Sequence, residues 1–299
     1  MTEGMTEDMK GKVVVMTGAT SGIGQVAAES LAAMGARIVQ VARDRERGEE
    51  AVKRLRERAP GVAHAIHYAD LSRLSEMKQV AAEIARTEPR IDVLANNAGA
   101  MFGSRQVAEG LERTFALNHV AYFVLAHVLR ERLVAAAPAR VVNTASDAHH
   151  GAALDFDDLQ SVAAYRGGLW DWLRRGGPGF KVYGRSKLCN ILFTRELARR
   201  LAGTGVTANS LHPGFVATRF GDQSGGLISF GVRAAKRFAL SPQQGAETLI
   251  YLASSPEVAG VTGEYFHRCR PATPTREARD DAAARRLWTA TAALAHLED

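Results

Sequence analysis

The chain has 299 residues, of which 46% are hydrophobic and 23% are charged, and its formal net charge is +6 with two cysteines. This composition is typical of a soluble globular protein and excludes a mainly disordered chain or a small disulfide-stapled one. The positive charge does not predict nucleic-acid binding, because the most basic stretch, residues 268–286, also contains Glu277, Asp280 and Asp281 and reads as a solvated helix face.

The N-terminus and the hydropathy pattern bear on location and domain count. The first ten residues are polar and acidic and lack the charged-then-apolar order of a signal peptide, and no window approaches about eighteen uninterrupted apolar residues. We therefore expect a cytoplasmic protein with no membrane partner. No internal repeat, low-complexity tract or linker is visible, so residues 1–299 are predicted to form a single domain.

A glycine-rich loop separates the first predicted strand, Lys12 to Thr17, from a helix that runs to Met34. Small residues let the backbone approach a pyrophosphate, and a helix N-terminus supplies unpaired N–H groups with a partial positive charge. Strand, glycine turn and helix in this order indicate a dinucleotide site, although a tight structural turn could show the same pattern. The predicted pyrophosphate loop comprises Gly18, Thr20, Ser21, Gly22, Ile23 and Gly24.

The end of the second predicted strand bears on which dinucleotide binds. The strand runs from Ala36 to Val41 and is followed by Ala42, Arg43 and Asp44. At this tip a carboxylate accepts from the ribose 2′-hydroxyl of NAD, whereas an arginine accommodates the 2′-phosphate of NADP. Ala42 stands where the carboxylate is expected and Arg43 follows it, which favours NADP(H). A register shift of one residue would favour NAD(H) through Asp44, and both charges could instead belong to the first turn of the next helix.

Strands and helices alternate along the chain. Further strands are predicted at residues 61–68, 91–95, 140–144, 205–211 and 263–266, and helices at 44–59, 72–87, 117–129, 241–253 and 277–297. This alternation implies βαβ units, and hence an α/β Rossmann-type fold with a doubly wound parallel sheet of about seven strands flanked by helices. The carboxyl ends of the strands are expected to carry the site.

Tyr183 and Lys187 lie four residues apart in a helical pattern, so both side chains are expected on one helix face. A nearby ammonium favours the phenolate and lowers the pKa of a tyrosine, which suits acid-base chemistry at neutral pH. A surface tyrosine beside a solvated lysine would show the same spacing. Ser146 follows the fifth strand, where its hydroxyl either points into the crevice or closes a turn. Asn118 lies beside the apolar stripe of a buried helix.

Two segments are candidates for the substrate region. Residues 147–182 combine glycines with aromatic side chains, which suits either a substrate lid or a surface excursion packed on the body. Residues 219–240, of mixed character, are the second candidate. His149 and His150 are adjacent, but no third ligand is evident, so no metal site is predicted.

Several motifs together carry a family resemblance. They are Thr17-Gly18-x-x-x-Gly22-Ile23-Gly24, Asn96-Asn97-Ala98-Gly99, Asn118, Ser146, Tyr183-x-x-x-Lys187 and Pro213-Gly214. In this order and spacing the chain resembles the short-chain dehydrogenase/reductase family from about residue 10 to the C-terminus. It is most similar to the retinol dehydrogenase-like branch, through residues 42–44, 155–159, 186–190 and 263–266. The membrane-bound members that handle retinoids have an N-terminal hydrophobic segment, which is not seen here, so a retinoid substrate is not expected.

The resemblance implies an enzyme that interconverts a carbonyl and an alcohol on a small hydrophobic molecule. Tyr183 would exchange a proton with the substrate oxygen, and Ser146 would hydrogen-bond the same atom. Lys187 would bind the nicotinamide ribose and lower the pKa of the tyrosine, and Asn118 would hold a water linked to the lysine. The alternatives are an NAD-linked alcohol dehydrogenase and a non-catalytic NADP-sensing protein. A homodimer or homotetramer is common in the family.

The resemblance also implies cofactor contacts for NADP(H), with NAD(H) less expected. The glycine loop would hold the pyrophosphate and Arg43 the 2′-phosphate. The remaining implied cofactor residues are Asp70 and Leu71 at the adenine edge, Asn97, Ala98 and Gly99 near the adenosine-side sugar, Tyr183 and Lys187, and Pro213, Gly214, Val216 and Thr218, of which Thr218 faces the carboxamide.

Overall fold

A computed structural model describes residues 8–166, 177–215 and 240–298. Its strands are β1 (Val13–Thr17), β2 (Arg37–Ala42), β3 (Ala65–Tyr68), β4 (Val93–Asn96), β5 (Val107–Ala108), β6 (Leu111–Glu112), β7 (Ala139–Thr144), β8 (Val206–His212), β9 (Tyr265–His267) and β10 (Arg270–Pro271). Its helices are α1 (Gly22–Ala33), α2 (Arg45–Arg58), α3 (Leu74–Thr87), α4 (Arg113–Phe115), α5 (Ala121–Val128), α6 (Arg130–Ala135), α7 (Pro178–Arg200), α8 (Pro242–Ser254) and α9 (Asp281–Ala295). A π-helical turn, Ala116–Val120, joins α4 to α5.

The central sheet has the strand order β10-β9-β8-β7-β4-β1-β2-β3. All neighbouring pairs are parallel except β9 with β10. Because β1 pairs with both β2 and β4, the winding direction reverses there, and the strand ends leave a crevice at this switch point. The strands are near-continuous apolar runs, as expected for a sheet buried on both faces. The predicted doubly wound α/β fold is confirmed.

Helices cover both faces of the sheet, and each face has its own apolar core. Residues of α1 and α8 pack on one face, and residues of α3, α5, α7 and α9 pack on the other. On the second face the C-terminal helix covers α7, and Trp288 is wedged against the rings of Phe123 at 4.7 Å and Phe193 at 5.8 Å between ring centroids. The helix that carries Tyr183 therefore lies between the sheet and α9.

Two local features differ from the sequence predictions. Within the described residues the sheet has an eighth strand, β10, which is only two residues long and exposed. The predicted helix start at Ser72 is wrong: α3 begins at Leu74, because Ser72 Oγ donates to the carboxylate of Asp70 at 2.8 Å. The N–H of Ser75 is instead capped by the carboxylate of Glu109, 34 positions away in sequence.

Some predicted features lie outside the described residues. They are Val216, Thr218, residues 219–239 of the second substrate segment, and residues 167–176 of the first, with Trp170 and Trp172. Among the residues that are described, no helix combines the length and apolar character needed to cross a bilayer.

Candidate active site

Tyr183 and Lys187 lie on α7, a helix of 23 residues that begins five positions before the tyrosine. Pro178 occupies its first turn, directly after Gly177 in a left-handed conformation (φ 86°), which is a favourable helix start. Lys187 Nζ is 5.6 Å from the centroid of the Tyr183 ring. The two side chains thus occupy one face of α7, directed toward the carboxyl ends of the strands.

Lys187 is a buried cation, with 2% of its surface exposed. Its Nζ donates a hydrogen bond to the carbonyl oxygen of Thr144, the last residue of β7, at 2.8 Å. Burial lowers the pKa of this lysine to about 7, because low-dielectric surroundings disfavour the charged form. Near neutral pH the lysine therefore exists in both charged and neutral forms.

Tyr183 and Ser146 are joined by a side-chain hydrogen bond. Burial raises the pKa of Tyr183 to about 12, and the bond to Ser146 opposes this rise. The family resemblance implies a lowered pKa instead. Burial dominates because Lys187 Nζ faces the carbonyl of Thr144 and is itself driven toward its neutral form. In this arrangement Tyr183 keeps its proton at neutral pH and can act as an acid.

Asn118 lies in the π-helical turn, where a widened helix turn is often found at functional sites. Its side chain is fully buried, exchanges hydrogen bonds with both backbone groups of Ala100 and donates to Ser186 Oγ at 2.9 Å. A methyl group at Gly99 would lie 3.2 Å from Asn118 Oδ1 and 3.5 Å from Lys187 Nζ. Asn118 and Lys187 thus approach each other across a residue with no side chain.

The glycine loop forms a cradle of bare backbone. A side chain at Gly24 would collide with the carbonyl oxygen of Gly18, and one at Gly18 would lie 2.8 Å from the Cα of Ala98. Helix α1 begins after Ser21 with no side-chain cap and no acidic residue in its first turn. Thr20, Ser21, Gly22 and Ile23 are at least partly exposed. Free N–H groups on an exposed, closely packed loop fit the pyrophosphate of a dinucleotide.

Asn97 ties this loop to the neighbouring strand. Its Nδ2 donates to the carbonyl oxygens of Thr17 at 3.3 Å and Gly18 at 3.2 Å, and its Oδ1 accepts from Thr144 Oγ1 at 3.3 Å. The backbone N–H groups of Asn97 and Ala98 both donate to Thr17 Oγ1. The side chain of Asn97 is engaged with protein groups that fix the cradle. The implied contact of Asn97 with the adenosine-side sugar stays a prediction.

The tip of β2 carries an exposed cation, Arg43, and has alanine at position 42, where a carboxylate would bind a ribose hydroxyl. Ala42 ends the strand, Arg43 is exposed, and Asp44 caps α2 by accepting from the Arg47 N–H at 2.9 Å. The structure thus places Asp44 at the start of the helix. Hydrogen bonds from Ser72 to the carboxylate of Asp70, together with the charge of Arg43, outweigh burial and hold the pKa of Asp70 below its ordinary value.

Residues at two other strand ends complete the crevice. Leu71, implied at the adenine edge with Asp70, is buried at 6% exposure. Pro213 and Gly214 follow β8, and Gly214 (φ 85°) packs so closely on Leu240 that a side chain would collide with it. The backbone N–H of Leu240 donates to the carbonyl of Phe215 at 2.7 Å. This hydrogen bond holds Phe215 and Leu240, the described residues on either side of 216–239, next to each other.

Sequence reasoning missed several polar residues that hold the site. Ser186 Oγ donates to the Tyr183 carbonyl at 2.7 Å, Asn190 Nδ2 donates to the Thr144 carbonyl at 3.1 Å, and Tyr122 OH donates to the Ala98 carbonyl at 2.9 Å. Each partner is a backbone carbonyl, which no sequence pattern identifies. The only available signal was a polar side chain within an apolar helix stripe.

Asp147, His149 and His150 bring ligand atoms within 4.8 Å of one another, so Asp147 is the third group that the sequence did not reveal. Both ring nitrogens of His149 are already engaged, one with the Ser146 carbonyl and the other with the Thr275 N–H. The cluster therefore does not offer three free ligands, and the lack of a metal site stays a prediction.

The described part of the first substrate segment packs on the body. Tyr165 OH hydrogen-bonds the buried carboxylate of Glu112 at 3.2 Å, and Gln160 Oε1 accepts from the Glu112 N–H at 2.7 Å. Asp158 caps its own turn by accepting from Val162 and Ala163. Up to residue 166, this segment is therefore a surface segment that is held to the rest of the domain by hydrogen bonds to Glu112.

Comparisons with known proteins agree with the geometry. The model of the short chain dehydrogenase family matches residues 12–154, and the model described as enoyl-(acyl carrier protein) reductase matches residues 171–268. Human retinol dehydrogenase 14 is 39% identical over 94% of this chain and 85% of its own length, and human retinol dehydrogenase 13 is 38% identical over 96% and 86%.

Solved structures share the fold. An uncharacterized protein from Mycobacterium paratuberculosis has a TM-score of 0.75 at 29% identity, covering 98% of this chain and 96% of its own. The Pseudomonas aeruginosa RhlG/NADP active-site complex has a TM-score of 0.67 at 25% identity, covering 87% and 95%. Matched motifs, shared fold and curated relatives over nearly the whole length lead to one conclusion: the chain belongs to the short-chain dehydrogenase/reductase family, in its retinol dehydrogenase-like branch.

Proposed function

We propose that this oxidoreductase transfers hydride between NADP(H) and a small hydrophobic carbonyl or alcohol compound. The observation that carries the proposal is the side-chain hydrogen bond between Tyr183 and Ser146, with the buried Lys187 on the same helix face. The pyrophosphate cradle around Gly24 fits a dinucleotide, because any side chain there would fill it. When bound, the reduced nicotinamide would supply the hydride.

In the reducing direction the protein's own residues handle the substrate oxygen. Ser146 Oγ–H donates a hydrogen bond to the carbonyl oxygen, which orients and polarises it. Tyr183 OH donates its proton to this oxygen as negative charge develops there. A tyrosine that holds its proton at neutral pH is suited to this step, and the reverse reaction requires the phenolate. Lys187 would bind the nicotinamide ribose, and Asn118 would hold a water beside it.

The choice of NADP(H) over NAD(H) rests on the tip of β2. Arg43 is exposed there, Ala42 offers no carboxylate, and the carboxylate of Asp44 accepts from the Arg47 N–H in the first turn of α2. A guanidinium pairs well with a phosphate, whereas a 2′-hydroxyl needs an acceptor, which Ala42 does not provide. The solved relative crystallised as an NADP complex supports the same choice.

A hydrophobic substrate is supported by exposed aromatic side chains at the two candidate substrate segments. Phe180, in the first turn of α7 and within the first segment, is 45% exposed, and Phe215, just before the second segment, is 60% exposed. Large exposed aromatic side chains favour apolar ligands. The relatives named retinol dehydrogenases fit this class of substrate, but a retinoid itself is not part of the proposal.

The test is NADPH oxidation, followed at the nicotinamide absorbance, against a panel of aromatic and aliphatic aldehydes and ketones. We expect Tyr183→Phe to lower kcat by roughly 10²- to 10⁴-fold, since it removes the proton donor and leaves the ring. Tyr251→Phe, whose hydroxyl bonds Glu257 on the surface of α8, is the matched control. Undiminished turnover by Tyr183→Phe would overturn the proposal, and tight NADPH binding without any turnover would favour a sensor. The cytoplasmic location and the homodimer or homotetramer remain predictions.

A further inference from the structure

The peptide group that joins Ser146 to Asp147 is hydrogen-bonded on both sides by histidine rings. Its carbonyl oxygen accepts from His149 Nδ1 at 2.7 Å and from the His149 backbone N–H at 3.1 Å. Its N–H donates to His212 Nδ1 at 3.2 Å. On the other side of Ser146, the Ala145 N–H donates to the Leu211 carbonyl at 2.8 Å. Fixed backbone before and after Ser146 sets the direction of its Cα–Cβ bond, and the Ala148 N–H, which donates to Ser146 Oγ at 3.2 Å, restricts the rotation of the hydroxyl.

These contacts require the two rings to be neutral and in opposite tautomers. A carbonyl oxygen can only accept, so His149 carries its proton on Nδ1, and its Nε2 accepts from the Thr275 N–H at 3.4 Å. His212 accepts at Nδ1 and must therefore carry its proton on Nε2. Protonation of either ring would set an N–H against another N–H.

The carboxylate of Asp147 strengthens this arrangement, because it contacts residues on two neighbouring strands. Its Oδ2 lies 3.0 Å from His212 Nε2, where that ring carries its proton, and its Oδ1 accepts from Tyr265 OH at 3.0 Å. His212 ends β8 and Tyr265 begins β9, and both are largely buried. Asp147 is therefore held to both strands, and the turn that carries Ser146 cannot shift without breaking several bonds.

We propose that His149 and His212, the histidine clamp, are positioning residues that hold Ser146 Oγ in reach of the substrate oxygen. The role of the clamp in catalysis rests on the proposed function. The hydrogen bonds that form the clamp do not depend on it. His150 and His267 lie beside the clamp rings, with ring centroids at 4.1 Å and 5.0 Å, and neither is part of the clamp, because neither contacts the Ser146–Asp147 peptide.

The ionisation of the clamp agrees with its hydrogen bonds. Burial lowers the pKa of His212 to about 4, with Asp147 opposing the shift and His267, His149 and His150 adding to it. Burial likewise lowers the pKa of His149, where the Ser146 carbonyl and Asp147 oppose the shift and His150 adds to it. Both rings are neutral near pH 7.

The first experiment needs no turnover. Long-range ¹H–¹⁵N NMR of the full chain labelled at histidine reports each ring's tautomer, and His149→Asn and His212→Asn assign the two resonance sets. We expect an Nδ1–H ring for His149 and an Nε2–H ring for His212 at pH 7. A charged ring, or the same tautomer at both positions, would overturn the clamp whether or not the chain is an enzyme.

The second experiment measures positioning. His212→Leu removes the acceptor, and we expect a roughly 10- to 100-fold lower kcat with an unchanged Kd for NADPH, because misplacing a catalytic group by about 1 Å has an effect of that order. His212→Asn should recover most of the rate, since its Oδ1 lies near the position of Nδ1. Tyr251→Phe, whose hydroxyl bonds Glu257 and has no contact with the clamp, is again the control.

A double mutant separates positioning from general damage. If His212 acts through Ser146, then His212→Leu in a Ser146→Ala background should lower kcat no further. Equal losses in both backgrounds, or no rescue by His212→Asn, would overturn the positioning role. If the wild type reduces no panel compound, the proposed function fails. Hydrogen exchange of the Asp147 amide then tests the clamp by itself. Protection that is lost in His212→Leu and kept in His212→Asn would support the clamp, and equal protection in both variants would overturn it.

Discussion

Replacing Gly24 by alanine tests the dinucleotide cradle most directly. The added methyl would collide with the Gly18 carbonyl and would lie 2.5 Å from Asn97 Nδ2, and both groups belong to the hydrogen-bonded junction between the loop and β4. Neither group can rotate away, because one is backbone and the other bonds two carbonyls. The loop must therefore open.

The size of the effect follows from the bonds that an opened loop loses. A hydrogen bond from a backbone N–H to a charged phosphate contributes about 1.5–3 kcal/mol. Loss of one such bond weakens NADPH binding by roughly 10- to 100-fold. We expect this loss in Kd, measured by isothermal titration calorimetry, together with a lower Tm of the free protein.

Gly48→Ala is the matched control. Gly48 is also a buried helical glycine, and a methyl there would lie 2.5 Å from Ile66 Cδ1, 2.9 Å from Tyr68 Cε1 and 3.3 Å from Ala42 Cβ. These neighbours are side-chain atoms, and none of them belongs to the pyrophosphate loop. We expect an unchanged Kd for NADPH. If Gly24→Ala binds NADPH as tightly as the wild type while remaining folded, the cradle does not hold the cofactor as argued.

Three further predictions test the cofactor tip, the lysine and the core. Arg43→Ala should weaken NADPH binding about 10-fold without affecting NADH, whereas Arg45→Ala should affect neither, because Arg45 stacks on Tyr68; equal losses for both cofactors would contradict the assignment. The pKa of Lys187 falls from 10.5 to about 7 on folding, so the unfolded chain binds more protons in that window and stability rises with pH there. The Tm of Lys187→Met relative to wild type should therefore fall from pH 7 to about pH 10, and a constant difference would contradict the lowered pKa. Trp288→Ala should lower the free energy of unfolding in urea by about 3–5 kcal/mol, and a loss below about 1 kcal/mol would show that α9 is not anchored by this ring.

The fold could be predicted wherever local signals and tertiary demands agree. Buried parallel strands such as β1 are continuous apolar runs, so their pattern is visible in the sequence. The sequence pattern failed to predict element boundaries that depend on contacts with residues distant in sequence. Strand β10 follows a turn whose left-handed residues are Arg268 and Cys269, so no glycine signals it. The start of α3 is set by Glu109, which is distant in sequence.

The site could be predicted in its chemistry but not in its support. Tyr183, Lys187 and Ser146 stand out only together with the glycine loop and Asn118, because each of these residues alone has an ordinary structural explanation. The contacts that orient them, from Ser186 to the Tyr183 carbonyl and from His212 to the Asp147 N–H, join residues whose pairing depends on the packed fold. A sequence pattern identifies reactive groups more readily than the hydrogen bonds that aim them.

Burial also explains why the protonation states of Tyr183 and Lys187 could not be inferred from their spacing. In water their pKa values lie close together, at about 10 and 10.4. In the folded chain burial moves them apart, to about 12 and about 7, because each group is disfavoured in its charged form. Groups whose pKa values are separated in this way take distinct acid and base roles. Under the proposed function, the neutral tyrosine is the expected proton donor for carbonyl reduction. The oxidising direction would use the phenolate, which the hydrogen bond from Ser146 and the charged form of Lys187 would both stabilise.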